Sequence, residues 1–474
     1  MRKKHFFITS IYFVCIIFFS LNDYLRGQDW VRTIGPGLLG GPSVADDGTV
    51  YVAQTSSPAG GSSNIYAYSP DGTLQWQYHP AHRLESGPAI ADNGTVYVNI
   101  GAELIALNPD GSLYWSVEAP QYFLGEPAIA KDGTVYIGAY DPNLYAYNPV
   151  GSLRSVYNLP NGGHPKNPVI GRDGTVYFTT DMTPPNFPPD FNYLYAIRQD
   201  GDSLNLKWFY VIGQIINEPV IGFDGTIYVL FRVDSHLHAF DPDGSRKWDL
   251  RLTTSPSWGA PALGPGGVIY VASGPKIYAI NNVGQIIWEY RDFGFSGQIA
   301  STPAIGNDGR IHYGTRTGYF YILLPDGSQD WWWPVGESIH MYSAVAITND
   351  GHFVLNTSTR LFHMSTSSNG PAMTSWAMYR ANAKRNGRVN FFEFNYEALK
   401  YLMSKLVEFV QNSQLYNSFY VKLESALKSY NKGQIKAAKN KIKAFINEVE
   451  AQRGKKIPEE NARTLIYLAM MVIG

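Results

Sequence analysis

Short runs of alternating apolar and polar residues, separated by turn-forming residues, occupy most of the chain between residues 30 and 365. One unit contains four such runs: P-A-I, then T-V-Y-V after a D-G turn, then L-Y-A-Y, then L-x-W after a P-D-G turn. Alternation with a period of two is typical of β-strands. D-G between two runs favours a hairpin, because glycine accepts the positive φ that the turn needs. The pattern predicts units of four short antiparallel strands.

The four-run unit recurs along the chain. Its first hairpin reads GPSVADDGTVYVAQ from Gly41, and related copies follow, the last of them degenerate. A period of roughly 40–50 residues with four strands per unit matches a propeller blade. We therefore expect an all-β eight-bladed propeller; a seven-bladed ring with an irregular tail is the alternative. The turn glycines that mark the copies are Gly48, Gly94, Gly133, Gly174, Gly225, Gly267, Gly309 and Gly351.

The last run of each unit indicates how the blades pack and how the ring closes. A tryptophan recurs there, except in the third unit, where segment 153–157 takes its place. A large flat side chain at this position can pack between neighbouring sheets. Because Trp30 precedes the first unit and no regular outer strand follows the last, we expect its strand to complete blade eight and close the ring. The predicted blade-docking residues are Trp30, Trp76, Trp115, Trp208, Trp248, Trp288 and Trp331.

The A-x-x-P-D-G-x-x-x-W pattern and the D-G-T-V-Y strand resemble the repeat of the pyrroloquinoline quinone (PQQ) family. That family includes the quinoprotein alcohol dehydrogenases and the propeller lipoprotein of the outer-membrane barrel assembly machinery. Segment 376–380 (WAMYR), with Asn382 and 386–388 (NGR), resembles a W-P-M-F-R-x-N-x-x-x-x-G segment of such propellers. The resemblance covers roughly 29–390 and implies the propeller fold. It implies no single function, because one fold hosts many activities.

Both ends of the chain differ from the repeats. Residues 1–28 are basic and then apolar, which predicts a signal peptide or an uncleaved N-terminal anchor. The single cysteine, Cys15, lies in this segment, so we expect an exported chain without disulfides. Over 391–474 the apolar spacing becomes helical and basic residues outnumber acidic ones, which predicts a small helical bundle. Segment 444–456 resembles FIMAH-type modules, small helical domains at the ends of exported bacterial proteins.

Candidate chemistry is sparse. The resemblance implies a vicinal cysteine pair and a Glu/Asn/Asp calcium set in members that use the quinone, and the mature chain has no cysteine. His238 and His312 stand in tyrosine positions of the repeat and His363 in an alanine position, so we interpret them as repeat substitutions and not as ligands. We expect no catalytic residue, no cofactor and no metal. The alternatives are a quinone-dependent (PQQ) oxidoreductase and a glycan-active enzyme.

The two faces of the predicted ring differ in regularity. The turn face carries the uniform D-G-T and P-D-G turns, whereas the loop face carries the blade crossings and the irregular loops between middle strands. Function usually resides on loops that a rigid scaffold holds. The predicted ligand-binding rim lies on the loop face, with its two glutamates and its asparagine nearer the channel mouth. It comprises Tyr122, Glu126, Asn167, Phe187, Glu218, Trp258, Phe293, Phe295 and Trp333. The alternative is that these aromatic rings only pack their own loops.

These observations predict an exported, non-catalytic binding or scaffold protein that recognises an envelope protein or a polysaccharide through one propeller rim. Aromatic rings have few rotors and therefore bind at a low entropic cost. We expect a monomer that is extracellular, on the cell surface or periplasmic and contacts a membrane only through the possible anchor. The net charge of −1 gives no electrostatic basis for binding nucleic acid. The helical bundle is expected to provide a second contact or an attachment point.

Overall fold

Eight four-stranded antiparallel sheets form the described part of the propeller in this computed structural model. The eight-bladed prediction is therefore confirmed. The structure describes residues 29–55, 63–181, 192–212, 217–231, 235–252, 259–291, 299, 301–339, 344–368, 370–372, 377–378, 380–382, 384–388, 396–410 and 413–473. The predicted N-terminal signal or anchor, 1–28, lies outside these residues.

The blades are numbered in chain order, and the strand order within each sheet follows the sequence in blades 1 to 7. The strands of blades 1 to 4 are β2 (Leu38–Val44), β3 (Val50–Gln54), β4 (Asn64–Tyr68), β5 (Leu74–Tyr78), β6 (Ala89–Ile90), β7 (Val96–Ile100), β8 (Glu103–Leu107), β9 (Leu113–Glu118), β10 (Phe123–Ile129), β11 (Val135–Ala139), β12 (Asp141–Tyr147), β13 (Leu153–Asn158), β14 (His164–Ile170), β15 (Thr175–Asp181), β16 (Tyr193–Asp200) and β17 (Ser203–Val211).

Blades 5 to 7 repeat this arrangement, and blade 8 takes its outermost strand from the start of the chain. Their strands are β18 (Val220–Ile221), β19 (Ile227–Leu230), β20 (His236–Phe240), β21 (Arg246–Arg251), β22 (Ala262–Leu263), β23 (Ile269–Ser273), β24 (Lys276–Ile280), β25 (Ile286–Arg291), β26 (Ala304–Ile305), β27 (Ile311–Gly314), β28 (Tyr319–Leu323), β29 (Gln329–Pro334), β30 (Ala346–Ile347), β31 (His352–Asn356), β32 (Arg360–Ser365) and β1 (Trp30–Thr33).

Pairing of the two chain regions closes the ring. Strand β1 runs antiparallel to β32, with Trp30 opposite His363 and Thr33 opposite Arg360. The carboxylate of Asp29 accepts hydrogen bonds from the backbone N–H and the hydroxyl of Ser365, at 2.5 and 2.7 Å. The predicted clasp is therefore confirmed, and it pairs both edges that an open ring would expose.

Burial follows position within the blade. The second strands are buried along their whole length in most blades, as in β7 and β11, because neighbouring sheets cover both of their faces. The outermost strands alternate instead between exposed and half-buried residues, as in β9 and β21. One face of each outermost strand therefore meets solvent, and its edge has no further strand beside it in the sheet.

The recurring tryptophans link successive blades. In six of them the indole Nε1–H donates to a backbone carbonyl in the last turn of the next blade, at 2.8 or 2.9 Å: Trp30 to Pro70, Trp76 to Pro109, Trp115 to Pro149, Trp208 to Pro242, Trp248 to Asn282 and Trp288 to Pro325. Each ring also covers the glycine of that turn. Blade 3 has no tryptophan at this position, and there Arg154 Nη2 donates to Gly201 O in blade 4 at 3.1 Å. Trp331 is half-buried against the core that includes blade 8.

These ring contacts give a stability prediction with a matched control. Both Gly111 and Gly201 have positive φ, but a Cβ at Gly111 would lie 2.6 Å from the Trp76 ring, whereas nothing lies within 4 Å of one at Gly201. We expect Gly201→Ala to cost about 1–2 kcal/mol from backbone strain alone. Gly111→Ala should cost about 1–3 kcal/mol more, from overpacking. Urea titration of both variants measures the difference, and equal losses would contradict the contact.

Four helices follow the propeller: α1 (Tyr396–Phe409), α2 (Ser413–Asn431), α3 (Ile435–Gln452) and α4 (Glu459–Ile473). Their apolar faces share one core, in which Leu402, Phe419, Phe445 and Leu465 are buried. This confirms the predicted helical module. None of the helices in the described part of the chain combines the length and the apolar character that crossing a membrane requires.

The helical module packs on the turn face of blades 5 and 6. Helix α4 contacts the turn at Pro265–Gly267, and Phe223 of the blade 5 turn packs against the module's core. The guanidinium of Arg172 lies 5.0 Å from the centre of the Phe223 ring. A cavity of about 400 Å³ remains at this junction, lined by Phe223, Leu263, Val283, Arg453 and Ile466 among others.

Candidate binding site on the propeller rim

The described residues of segment 370–388, called the channel plug below, lie at the turn-face end of the central channel. Their described carbonyl groups accept hydrogen bonds from the last residue of several innermost strands. The donors and acceptors are Ile90 N to Lys384 O, Ile129 N to Asn386 O, Ile170 N to Gly387 O and Ile305 N to Ala377 O, all at 2.8 or 2.9 Å. The plug therefore satisfies backbone groups that the strands leave unpaired where they converge.

Two arginines of the plug point into the channel and meet Glu126. Nη2 of Arg385 donates to Oε1 of Glu126, and Nε of Arg380 lies 3.7 Å from Oε2. Arg380 also donates from Nη2 to the carbonyl oxygen of Pro127 at 2.7 Å, and Arg385 donates from Nη1 to that of Gly41. All three charged side chains are buried. Glu126 is thus a channel-wall residue whose charge is already compensated.

Small residues make room for the Arg385 guanidinium. A Cβ at Gly87 would lie 2.5 Å from Nη1 of Arg385, and one at Gly40 would lie 3.0 Å from Nη2. Both glycines lie where innermost strands or their approaches line the channel. The glycine that begins the second repeat copy, Gly87, and the one that precedes the first copy, Gly40, therefore have a packing role, because a larger side chain would displace the arginine.

Asn167 and Glu218 also belong to the channel wall. Asn167 has a left-handed backbone, with φ of 47°, and its Oδ1 accepts the backbone N–H of Glu126 at 3.2 Å. Glu218 is buried at the corresponding approach to the first strand of blade 5. Asn167 is half-buried, and one acceptor position of its side chain is occupied by the hydrogen bond from Glu126. The structure brings Glu126 and Asn167 together, and it adds the two plug arginines to them.

The channel residues do not fit pyrroloquinoline quinone. A calcium ion beside Glu126 would be repelled by the guanidinium groups of Arg380 and Arg385. The side-chain oxygen of Asn167 already accepts a backbone hydrogen bond. The chain contains one cysteine, Cys15, so a vicinal pair cannot form.

On the loop face, two tyrosines and a histidine form an exposed cluster, called the blade 3 patch below. Tyr122 is 62% exposed in the crossing from blade 2 to blade 3, and Tyr140 is 49% exposed between β11 and β12. The backbone N–H of Tyr140 donates to the carbonyl oxygen of Tyr122 at 2.8 Å, which fixes their spacing. The ring of His164 contacts that of Tyr140 edge-on, with 5.5 Å between centroids.

Hydrogen-bonded polar groups border the patch on β12 and β13. Asp141 Oδ2 accepts the hydroxyl hydrogen of Tyr145 at 2.7 Å, and Asn143 Oδ1 accepts from Nδ2 of Asn158 at 2.9 Å. Burial, together with the hydrogen bond and charge of Asp141, raises the pKa of Tyr145 above its ordinary value. Its phenol therefore remains a neutral donor at physiological pH. The patch is an aromatic surface with a preorganised polar edge.

The prediction that Trp333 is a rim residue is wrong. Its indole is 2% exposed and meets Phe362 of blade 8 edge-on, with 5.3 Å between centroids. Strand β29 continues to Pro334, so Trp333 remains in the sheet on its inward side, opposite Phe320. Four other predicted rim residues lie outside the described residues: Phe187, Trp258, Phe293 and Phe295.

Sequence reasoning missed four residues of these two sites. Tyr140 and His164 are not part of any repeat signature, although both stand beside irregular crossings. Arg380 and Arg385 lie in the segment that resembles the PQQ-family motif, and this was the available signal for the plug. Their pairing with Glu126 spans more than half of the chain, so local pattern carried no information about it.

The fold defines this molecule as an eight-bladed propeller of PQQ-like repeats with a plugged channel and a helical module. A family model described as outer membrane protein assembly factor BamB matches residues 61–181 and 233–370, which is more than half of the chain. The chain therefore belongs to this family, as the repeat resemblance predicted. A search of curated proteins finds no match.

Solved structures share the propeller fold at low sequence identity. BamB from Moraxella catarrhalis is 17% identical, with a TM-score of 0.53, and the match covers 71% of this chain and 98% of that one. The quinohemoprotein alcohol dehydrogenase from Comamonas testosteroni is 14% identical, with a TM-score of 0.54 and coverage of 73% and 78%. The Dos1 propeller is 9% identical, with a TM-score of 0.56 and coverage of 72% and 96%. At such identities these likenesses show the fold alone.

Proposed function

We propose that the chain is an exported, non-catalytic binding protein that holds an envelope protein on its loop face. The observation that carries this proposal is the exposure of Tyr122 and Tyr140 on one edge of a rigid ring. Tyrosine is enriched among residues that dominate binding energy, because it offers a large contact area with little rotamer entropy to lose. The turn face supports the same choice, since its channel mouth holds the plug and blades 5 and 6 carry the helical module.

The family supports a protein partner in the cell envelope. Its description as an outer membrane protein assembly factor points to contact with other proteins, and it agrees with the predicted export. The hydrogen-bonded border of Asp141, Asn143 and Asn158 would act as a polar rim around an aromatic centre, an arrangement common in protein interfaces. A polysaccharide could stack on the same rings, and the experiment below distinguishes the two.

The proposal that the protein is not an enzyme rests on the channel. Glu126 faces two arginines, so it is not a candidate general acid or base paired with Glu218. The same arginines disfavour the calcium and quinone set of the oxidoreductase alternative. The helical module, attached beside the plug, would provide a second contact without taking part in a reaction.

The test places a photo-crosslinking amino acid at position 122 or 140 of the full chain in its own cells. The matched control position is Tyr114, a 47% exposed tyrosine on outer strand β9, away from the patch. We expect positions 122 and 140 to crosslink one envelope protein that position 114 does not. Purified partner should then bind Tyr122→Ala and Tyr140→Ala about tenfold to a hundredfold more weakly than wild type or Tyr114→Ala.

Two results would contradict the proposal. One is equal partner affinity for the patch variants and Tyr114→Ala, measured by calorimetry with the purified proteins. The other is binding of purified envelope polysaccharide that depends on Tyr122 and Tyr140 while no protein is crosslinked. The second result would keep the rim as the site and replace the partner class.

A further inference from the structure

Blade 8 brings two histidines and an aspartate together at the ring clasp. Asp350 lies in the turn before β31, His352 begins β31, and His363 lies on β32. One ligand atom from each of the three lies within 4.8 Å of the other two. The two imidazoles stack with 4.4 Å between centroids, and Oδ1 of Asp350 lies 3.2 Å from Nδ1 of His352.

This cluster replaces the arrangement found in other blades. There the turn residue corresponding to Asp350 accepts the backbone N–H two residues later: Asp47 from Thr49, Asn93 from Thr95, Asp132 from Thr134, Asp173 from Thr175, Asp224 from Thr226 and Asp308 from Arg310. In blade 8 the N–H of His352 donates instead to Oγ1 of Thr348 at 3.1 Å. The Thr348 hydroxyl donates to Oδ1 of Asp350, the same carboxylate oxygen that faces the imidazole of His352.

Both histidines depart from the repeat in the same blade. Position 352 corresponds to a threonine in five blades. His363 lies opposite Trp30 of the outermost strand, and the position corresponding to His363 is alanine in six blades: Ala67, Ala106, Ala146, Ala196, Ala239 and Ala279. Two imidazoles where the repeat has smaller residues are not needed for a blade to fold, since the other blades form without them. The presence of both histidines beside the carboxylate of Asp350 is therefore not explained by the folding of the blade.

We propose that Asp350, His352 and His363 form a binding site for a divalent transition metal ion, with zinc the best match. Two imidazole nitrogens and one carboxylate oxygen are the ligand set that zinc accepts, with water in a fourth position. The histidines are buried, whereas the Asp350 side chain is 44% exposed and gives the ion a path from solvent.

The surroundings of the cluster suit such a site. Oδ1 of Asp29 lies 3.9 Å from Nε2 of His352, on the ring nitrogen opposite the one that faces Asp350. A carboxylate beyond the liganding imidazole is the usual outer partner of a metal-bound histidine.

The site would join the parts of the clasp. Its ligands come from the turn before β31 and from β31 and β32, while Asp29 directly precedes β1 and holds Ser365 of β32. The ring of Trp30 stacks on His363 with 5.1 Å between centroids and 3° between planes. An ion bound here stabilises the folded ring relative to the unfolded chain, in which the ligands are far apart.

The test is zinc binding by the full chain, measured by equilibrium dialysis and by thermal unfolding with zinc or with a chelator. We expect one equivalent of zinc to bind and to raise the Tm by about 3 °C at a hundredfold excess over Kd. His352→Thr and His363→Ala carry the residues of the other blades, so they should fold, and each should bind at least a hundredfold more weakly. Asp29→Asn should bind about 10–100-fold more weakly, as an outer-partner variant does.

His312→Tyr is the matched control, because it returns another buried histidine to the residue of the other blades at a place outside the cluster. It should bind zinc as wild type does. Melting in the chelator verifies that every variant is folded. Absence of stoichiometric zinc binding by wild type would overturn the proposal, and so would undiminished binding by both His352→Thr and His363→Ala.

Discussion

Replacing Glu126 with glutamine is expected to lower the free energy of unfolding by about 3–5 kcal/mol. Glutamine has nearly the same shape, so the loss is electrostatic. Without the carboxylate, the buried guanidinium groups of Arg380 and Arg385 lose the negative charge of Glu126 that lies beside them. Removing one partner of a buried ion pair costs much more than the pair contributes, because the remaining charge keeps its desolvation penalty.

Asp46→Asn is the matched control for this prediction. Asp46 also pairs with a basic residue of the plug, Lys384, at 2.6 Å, but its side chain is 76% exposed. Because Asp46 is exposed and Lys384 keeps a second carboxylate, Asp92 Oδ1 at 3.5 Å, the pair should contribute about 0–1 kcal/mol, so Asp46→Asn should change stability little. Denaturant titration compares the two variants. Similar losses would show that the channel charges are better solvated than their burial indicates.

Amide hydrogen exchange should show where in the molecule Glu126→Gln lowers stability. The amides of Ile90, Ile129 and Ile170 donate to the plug, so they report whether it is seated. Glu126→Gln should accelerate their exchange more than that of amides in the outer strands. Uniform acceleration over all blades would instead mean that the loss is global and that the plug does not open separately.

The propeller fold could be predicted because the sequence features that specify a blade are repeated along the chain. Strand alternation, the D-G turns and the period each recur in successive units, so an error in one copy is corrected by the others. The closure of the ring by β1 could be predicted from the order of the runs along the chain, since the outer-strand run at Trp30 comes before the first inner-strand run. The propeller prediction therefore needs only local sequence and the rotation that relates one blade to the next.

The channel could not be predicted in the same way. Glu126 was assigned to the channel mouth, yet its partners Arg380 and Arg385 follow the last repeat and have no periodic counterpart. The prediction that Trp333 lies on the rim was wrong for a different reason. In the run of three tryptophans the pattern marked Trp331 as the repeat position, but the length of β29 decides that the third ring remains inside the sheet. Strand ends are set by pairing partners, which a single run does not specify.

The clasp tryptophan is the second residue at which a large effect is expected. Trp30 is 5% exposed, and its indole donates to Pro70 O at 2.8 Å and stacks on His363. Trp30→Ala should lower the free energy of unfolding by about 3–5 kcal/mol, the usual range for a buried tryptophan. The loss should also loosen β1, because this short strand is joined to blade 8 through its pairing with β32.

Trp248→Ala separates ring closure from ordinary blade docking. Trp248 makes the equivalent bond to Asn282 O at 2.9 Å, but it is half-buried and its strand β21 is continuous with the rest of blade 5. We expect Trp248→Ala to cost about 1.5–3 kcal/mol. Limited proteolysis should cut Trp30→Ala between β1 and β2 under conditions in which Trp248→Ala resists cleavage there. Equal stability losses with equal protection would mean that the clasp is no more sensitive than any other blade junction, and that the plug and the inner strands hold the ring closed.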